Sequence, residues 1–225
     1  MGKIVIPASS PNQWQSLLAE PEKHWKKGYS ARALAYCWQD ADGFPKEVKS
    51  VFEKAALFSD IEMLFAIPEH QVALPGGPRP SQNDLWVLAR TADGLLSIAV
   101  EGKVSESFGP TIEQWDYTSS SGRQERLTFL CSLLGFEFPP PGNMRYQLFH
   151  RTASAILEAK RFHAKYAMML VHSFSQTDAW FEDYRHFLSY FGASNAQNEI
   201  AVGGLRDGIQ LFFAWVRGEE VYLTK

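Results

Sequence analysis

The stretch Asn83-Asp84-Leu85-Trp86-Val87-Leu88-Ala89-Arg90-Thr91-Ala92-Asp93-Gly94-Leu95-Leu96-Ser97-Ile98-Ala99-Val100-Glu101-Gly102-Lys103 fixes the reading of the chain. Two apolar β-type runs flank Asp93-Gly94, and Asp-Gly between such runs signals a tight hairpin because the turn needs positive φ. With Asp93-Gly94 as the two-residue loop, Ala92 faces Leu95, Asp84 faces Lys103 and Trp86 faces Glu101. Opposed residues of an antiparallel pair share a face, and so do Glu101 and Lys103, two apart on one strand. Asp84, Glu101 and Lys103 therefore converge at one end of the hairpin. Only an odd shift of register would separate them. Ser97 and Ala99 lie on the same face and are small, which leaves room above the sheet, while Leu96, Ile98 and Val100 point into a core.

Around the hairpin the chain alternates helix and strand signals. Residues 10–40 suggest two helices, one opened by Ser10-Pro11 and one capped by Ser30. Val48, Val51, Phe52 and Ala55 form one apolar stripe of a helix over 46–58. Ile61 to Ile67 reads as a strand and residues 74–80 as a Pro/Gly loop. Residues 111–134 are mostly helical, 144–164 a long helix, Ala167 to Phe174 a buried strand and 178–190 a helix. Ile209 to Val216 and Val221 to Leu223 suggest a terminal hairpin around Gly218, and Gly203-Gly204 a turn. The order implies a mixed α/β sheet with helices on its faces, with 1–45 as a helical N-terminal extension and 46–225 as the main domain.

Composition narrows the function classes. The chain has 225 residues and a net charge of −3, so no global basic field draws it to nucleic acid and any such contact must be local. Two distant cysteines, Cys37 and Cys131, suggest a reducing compartment. Met1 to Pro7 is too short an apolar run for an export signal, and no stretch has membrane-spanning length, so a cytoplasmic protein is expected. The six histidines form no short-range ligand pair, which argues against zinc.

Two carboxylates and a lysine at a sheet end are costly unless they serve each other or a ligand. Two carboxylates suit Mg²⁺, a hard cation that prefers oxygen, and a lysine can neutralise charge on a reacting phosphate. Glu-x-Lys alone carries little weight: Glu47-Val48-Lys49 and Glu158-Ala159-Lys160 also occur, in helical patterns. Only Glu101-Gly102-Lys103 ends a β-run preceded by a strand that begins with aspartate.

Asn83-Asp84 and Glu101-Gly102-Lys103, sixteen residues apart, resemble the motif of the PD-(D/E)XK nuclease superfamily, the restriction-endonuclease-like fold. Its core of helix, three-stranded meander, helix and strand is similar in order to residues 46–174. The resemblance implies that Asp84 and Glu101 are catalytic metal ligands, that Lys103 is the catalytic lysine, and that the Gly102 carbonyl helps hold Mg²⁺, with Mn²⁺ as a substitute. A first-helix acid, Glu53 before Glu47, would add a ligand. Asn83 stands where the family has proline. The stretches Leu17-Leu18-Ala19 and His24 to Arg32 also resemble a group of bacterial proteins. Gln147 and Arg151, one turn apart on a locally basic helix, are placed to hold substrate phosphates. The implied activity is metal-dependent hydrolysis of nucleic acid, DNA foremost, and a homodimer is allowed, since many nucleases of this fold act as dimers. A non-catalytic binding module on the same fold, or an enzyme acting on a small phosphorylated molecule, stays open. Glu106 reads as a loop charge, and His24-Trp25 as an aromatic patch that packs the N-terminal segment.

Overall fold

In the computed structural model, which describes residues 8–194 and 197–225, β1 (Glu62–Val72), β2 (Ser81–Thr91) and β3 (Gly94–Lys103) form an antiparallel meander. Met1 to Pro7, read above as no export signal, lie outside the described residues. A parallel pairing joins β3 to β4 (Tyr166–Ser173), and β4 pairs in parallel with β6 (Ile209–Arg217). The last strand, β5 (Ile200–Arg206), closes the far edge antiparallel to β6. The result is a six-stranded mixed open sheet in the order β1-β2-β3-β4-β6-β5.

Helices cover both faces. On one lie α1 (Pro11–Trp14), α3 (Ser30–Asp40) and α4 (Lys46–Phe52); α2 (Pro21–His24) precedes α3. Leu34 and Trp38, four apart, form one stripe of α3 and join Leu96, Ile98 and Val100 of β3 in a single buried cluster. Trp25 is buried beside them, stacked on Tyr36. On the other face lie α5 (Ile112–Trp115), α6 (Ser121–Leu134), α7 (Tyr146–Arg161) and α8 (Phe181–Ser189). Here α7 buries Leu148, Ala155, Ile156 and Ala159 with Ala99, Met169 and Val171 of the sheet. No helix among the described residues is long and apolar enough to cross a membrane.

Three local expectations are corrected. Thr91 pairs with Gly94, so the hairpin loop is Ala92-Asp93, and Gly94 takes the positive φ of +151°. The Thr91 hydroxyl donates to the Gly94 carbonyl at 3.0 Å, which holds this turn. The register therefore differs by two residues, an even shift that leaves every side chain on its expected face. Leu85 pairs with Val100, so Asp84 stands opposite Glu101 rather than Lys103, and Trp86 opposite Ala99 rather than Glu101. The space above Ser97 and Ala99 is also filled: Trp86 lies over them, donates from Nε1 to Ser97 Oγ at 2.9 Å, and stacks on Phe162.

The expected hairpin around Gly218 is absent. β6 pairs instead with β5 through Asp207-Gly208, and Glu220–Thr224 is a 3₁₀ turn. Gly203-Gly204, read as a turn, lies inside β5 at a register shift. A Cβ on Gly203 would come within 2.6 Å of Phe213, so glycine is what lets this strand pass over the ring.

Candidate active site

The carboxyl end of β3 brings the expected residues together. Glu101 is 2% exposed and Lys103 3% exposed, in a position where an uncompensated charge would be prohibitive. Lys103 Nζ donates to Glu101 Oε1 at 2.5 Å, and Arg151 Nε donates to Glu101 Oε2 at 2.5 Å. Gln147 ties the pair together: its Nε2 donates to Glu101 Oε1 at 2.7 Å and its Oε1 accepts from Lys103 at 3.2 Å. The Phe108 ring covers the ammonium, with its centroid 4.8 Å away. Gln147 and Arg151 reach the site from α7 because residues four apart on a helix share a face. Arg151, expected to face phosphates, has its guanidinium against Glu101 and, at 3.7 Å, Asp84. It acts first as a counter-charge.

Asp84 Oδ2 accepts from the Gly102 amide at 2.8 Å. In a strand the N–H and C=O of one residue point to the same edge, so the Gly102 carbonyl also faces the Asp84 side. Asp84 Oδ1 has Arg151 at 3.7 Å and no closer donor among the described residues.

A third acid completes the site. Pro68 pairs with Leu85 and His70 with Asn83, which sets Glu69 opposite Asp84. Glu69, Asp84 and Glu101 thus form one row across β1, β2 and β3. Glu69 has a positive φ of +52°, and its Oε2 accepts from Gln82 at 2.6 Å. Sequence reasoning missed it because Pro68 reads as the end of a strand. β1 is an edge strand, where a proline lacking its N–H is tolerated, so the strand runs on to Val72.

The row titrates unevenly. Burial raises the Asp84 carboxyl to about 7, with the Glu101 charge adding to it. Burial likewise raises Glu69 to about 8, with Asp84 adding to it. Burial would raise Glu101 too, but Arg151 and Lys103 outweigh it and hold it down to about 2. A carboxyl raised on folding keeps its proton in the native state after the unfolded chain has lost it, so stability falls across that window. Between pH 3.8 and about 7, the metal-free protein should lose about 2 kcal/mol of unfolding free energy through Asp84, a full shift of this size being softened by solvent at the cleft mouth. Urea midpoints measured against pH for wild type and Asp84→Asn test this. A parallel pair of curves would overturn it.

The acids line a cleft of about 360 Å³ together with Ser30, Ala31 and His24 from the N-terminal segment. Glu106, expected as a loop charge, also lines it and braces it. Its Oε1 accepts from the Ser30 amide at 2.9 Å, at the start of α3, and its Oε2 from the Val104 amide at 2.9 Å.

Glu53 does not join the site. It follows the last residue of α4 with its side chain 54% exposed, and its ion-pair partner is Lys49 at 4.0 Å. The other first-helix acid, Glu47, lies under the opposite face of the sheet. There Cys37, Glu47 and His172 offer ligand atoms within 4.8 Å of one another. Trp38 Nε1 donates to His172 Nδ1 at 3.0 Å, which leaves the imidazole proton on Nε2, 3.0 Å from Glu47 Oε1. A cation on Nε2 would drive that proton onto Nδ1, against the Trp38 N–H. Burial, reinforced by Glu47, also pushes the Cys37 thiol far up, away from thiolate. The trio is a hydrogen-bonded brace between α3, α4 and β4.

The family described as a domain of unknown function (DUF6946) matches residues 7–220, and the chain belongs to that family. No curated protein and no solved structure matches the chain.

Proposed function

We propose that this member of the DUF6946 family is a divalent-metal-dependent phosphodiesterase with a restriction-endonuclease-like core, acting on nucleic acid and on DNA foremost. The observation that carries the reading is the row Glu69-Asp84-Glu101 across three adjacent strand ends, with Lys103 two residues beyond the last acid. The order α4, β1, β2, β3, α7, β4, with α5 and α6 inserted before α7, supports it, being the order that the resemblance to PD-(D/E)XK nucleases implies.

The donor set fits a hard cation. It consists of carboxylate oxygens, with the Gly102 carbonyl facing the same edge, and among the described residues Asp84 Oδ1 is not held by any donor closer than 3.7 Å. Asp84 and Glu101 would hold Mg²⁺, or Mn²⁺ in its place, and Glu69 replaces Glu53 as the third acid. The bound ion would supply Lewis acidity and a more acidic water. Lys103 contributes fixed positive charge for a phosphate that gains charge as it reacts, and Gln147 holds that ammonium in position. Arg151 balances the carboxylates and orients Glu101.

A second reading, a binding module on the same fold, is favoured by one observation: Glu101 is already neutralised within the chain by Lys103 and Arg151. One experiment separates the two. Purified protein is incubated with single-stranded DNA, double-stranded DNA or RNA in Mg²⁺, Mn²⁺ or EDTA, beside Asp84→Asn and Lys103→Ala. Metal-dependent cleavage reduced at least about 100-fold by each substitution is expected. No cleavage, together with no Mg²⁺ or Mn²⁺ binding by calorimetry, would overturn the nuclease and leave the binding module.

A further inference from the structure

Behind the Ser81 end of β2 lies a second cavity, of about 460 Å³, whose lining has a one-sided charge. It contains Arg79, Arg123 and Arg126 and no aspartate or glutamate. The arginine ion pairs among the described residues run through other arginines, not through these three. Arg126 is the most informative. It is 8% exposed, and its guanidinium donates to the carbonyls of Pro75 (2.8 Å) and Gly77 (3.0 Å). Carbonyls orient a guanidinium without cancelling its charge, so a buried cation faces the cavity with no counter-ion. Arg123 is fixed in the same way, by the Trp115 carbonyl at 2.7 Å and Ser119 Oγ at 2.9 Å. Its guanidinium lies 5.5 Å from the centroid of Trp115, which stacks on Tyr146 at 3.9 Å. Arg79, on the Pro/Gly loop, is exposed at the rim. Held forks of this kind, built before any anion arrives, suit the geometry of phosphate oxygens.

The cavity adjoins the carboxylate cleft. Ser81 lines the cavity, and its hydroxyl lies 2.8 Å from His150 Nδ1 and 3.4 Å from Arg151 NH1, which lines the cleft. Gln82, the next residue, faces the cleft and holds Glu69. Ser81 and Arg151 thus link the cavity of the three arginines to the acids.

We infer that the Arg79–Arg123–Arg126 cavity is a phosphate-binding subsite that holds a phosphate of the substrate next to the one placed at the carboxylates. The inference rests on the phosphodiesterase reading for its link to the cleft, and binding by the arginines stands apart from it. The phosphate belongs either to a nucleic-acid strand that continues past the cleft or to a small phosphate ester.

Binding measured in EDTA, where no metal-dependent turnover occurs, separates the two readings. Titrations would use a short single-stranded oligothymidylate, thymidine monophosphate and inorganic phosphate, each against wild type, Arg79→Gln, Arg123→Gln and the exposed control Arg90→Gln. Arg126 is left intact because it also holds the 74–77 loop. Each cavity substitution should weaken oligothymidylate binding about 3- to 10-fold and reduce the slope of log K against log salt by about 0.7, the loss of one single-strand phosphate contact. Arg90→Gln should change neither. Mononucleotide or phosphate binding that depends on the same arginines would keep the subsite and assign it to a small phosphate ester. Affinities and slopes unchanged in Arg79→Gln and Arg123→Gln, or no binding by any of the three probes, would overturn it. If arginine-dependent binding persists while the wild type neither cleaves nucleic acid nor binds Mg²⁺ or Mn²⁺, the phosphodiesterase reading falls and the subsite stands.

Discussion

Replacing Glu101 with alanine should lower the unfolding free energy by about 3–5 kcal/mol, the range for removing one partner of a buried ion pair. Glu101, Lys103 and Arg151 are all at most 7% exposed, and the carboxylate is the shared acceptor of both cations. Removing it leaves an ammonium and a guanidinium facing each other out of water. Asp84 is a poor substitute, being 3.7 Å from Arg151 and inclined by its burial to hold a proton. Adding Lys103→Met to Glu101→Ala should recover about 1–2 kcal/mol, because one of the two stranded charges goes with it. Glu101→Gln keeps an acceptor and the side-chain volume, and should cost less than alanine. Urea unfolding of the four proteins measures all of this. A loss under about 1 kcal/mol in Glu101→Ala would show that water reaches the cluster and that its charges are not held in a dry site.

Gly76→Ala should cost about 2–4 kcal/mol and weaken the arginine cavity with it. Gly76 has a φ of +80°, which a side chain resists, and a Cβ there would overlap the carbonyl oxygen of Gly122 and sit 2.9 Å from the Arg126 amide. Backbone meets backbone at this crossing of the 74–77 loop over the first turn of α6, so no rotamer change can relieve it. The loop must lift, and the Pro75 and Gly77 carbonyls that orient Arg126 lift with it. Gly77→Ala is the matched control. Its φ of +138° carries the backbone penalty, but the nearest atom to a new Cβ is the Arg126 guanidinium at 3.9 Å. It should cost about 1 kcal/mol. Thermal or urea unfolding ranks the two, and equal losses would mean that only backbone conformation, not the crossing, sets the effect.

The parts of this site that could be read from sequence are those set by short-range periodicity. Asp84, Glu101 and Lys103 follow from a hairpin and the two-residue repeat of a strand, and the two-residue error in register cost nothing because it was even. Gln147 and Arg151 follow from one turn of helix. What stayed hidden depends on chain segments meeting from afar. Glu69 is invisible behind Pro68 until β1 is known to be an edge strand. Glu53 looked suitable only because helix position says nothing of what lies beneath the helix, where Glu47 meets His172. The strand β5 is masked by Gly203-Gly204, whose meaning depends on the Phe213 ring beneath it. The arginine cavity draws on a loop, α5, α6 and α7, no two of its cations being closer than three residues in sequence.

The order in which the sheet is wired has a kinetic consequence. The meander β1-β2-β3 is made of near neighbours in the chain, and such local pairings form early, whereas the parallel pairing of β3 with β4 must wait for a long crossover. The meander alone already lines up Glu69, Asp84 and Glu101, with Lys103 as the cation beside them. Arg151, fifty residues beyond Glu101 in the chain, reaches it only when α7 docks. Until then the three acids repel one another at the mouth of a half-built sheet. Acid pH or a divalent cation in the refolding buffer should therefore ease the early phase of folding, before α7 docks and brings Arg151 to Glu101.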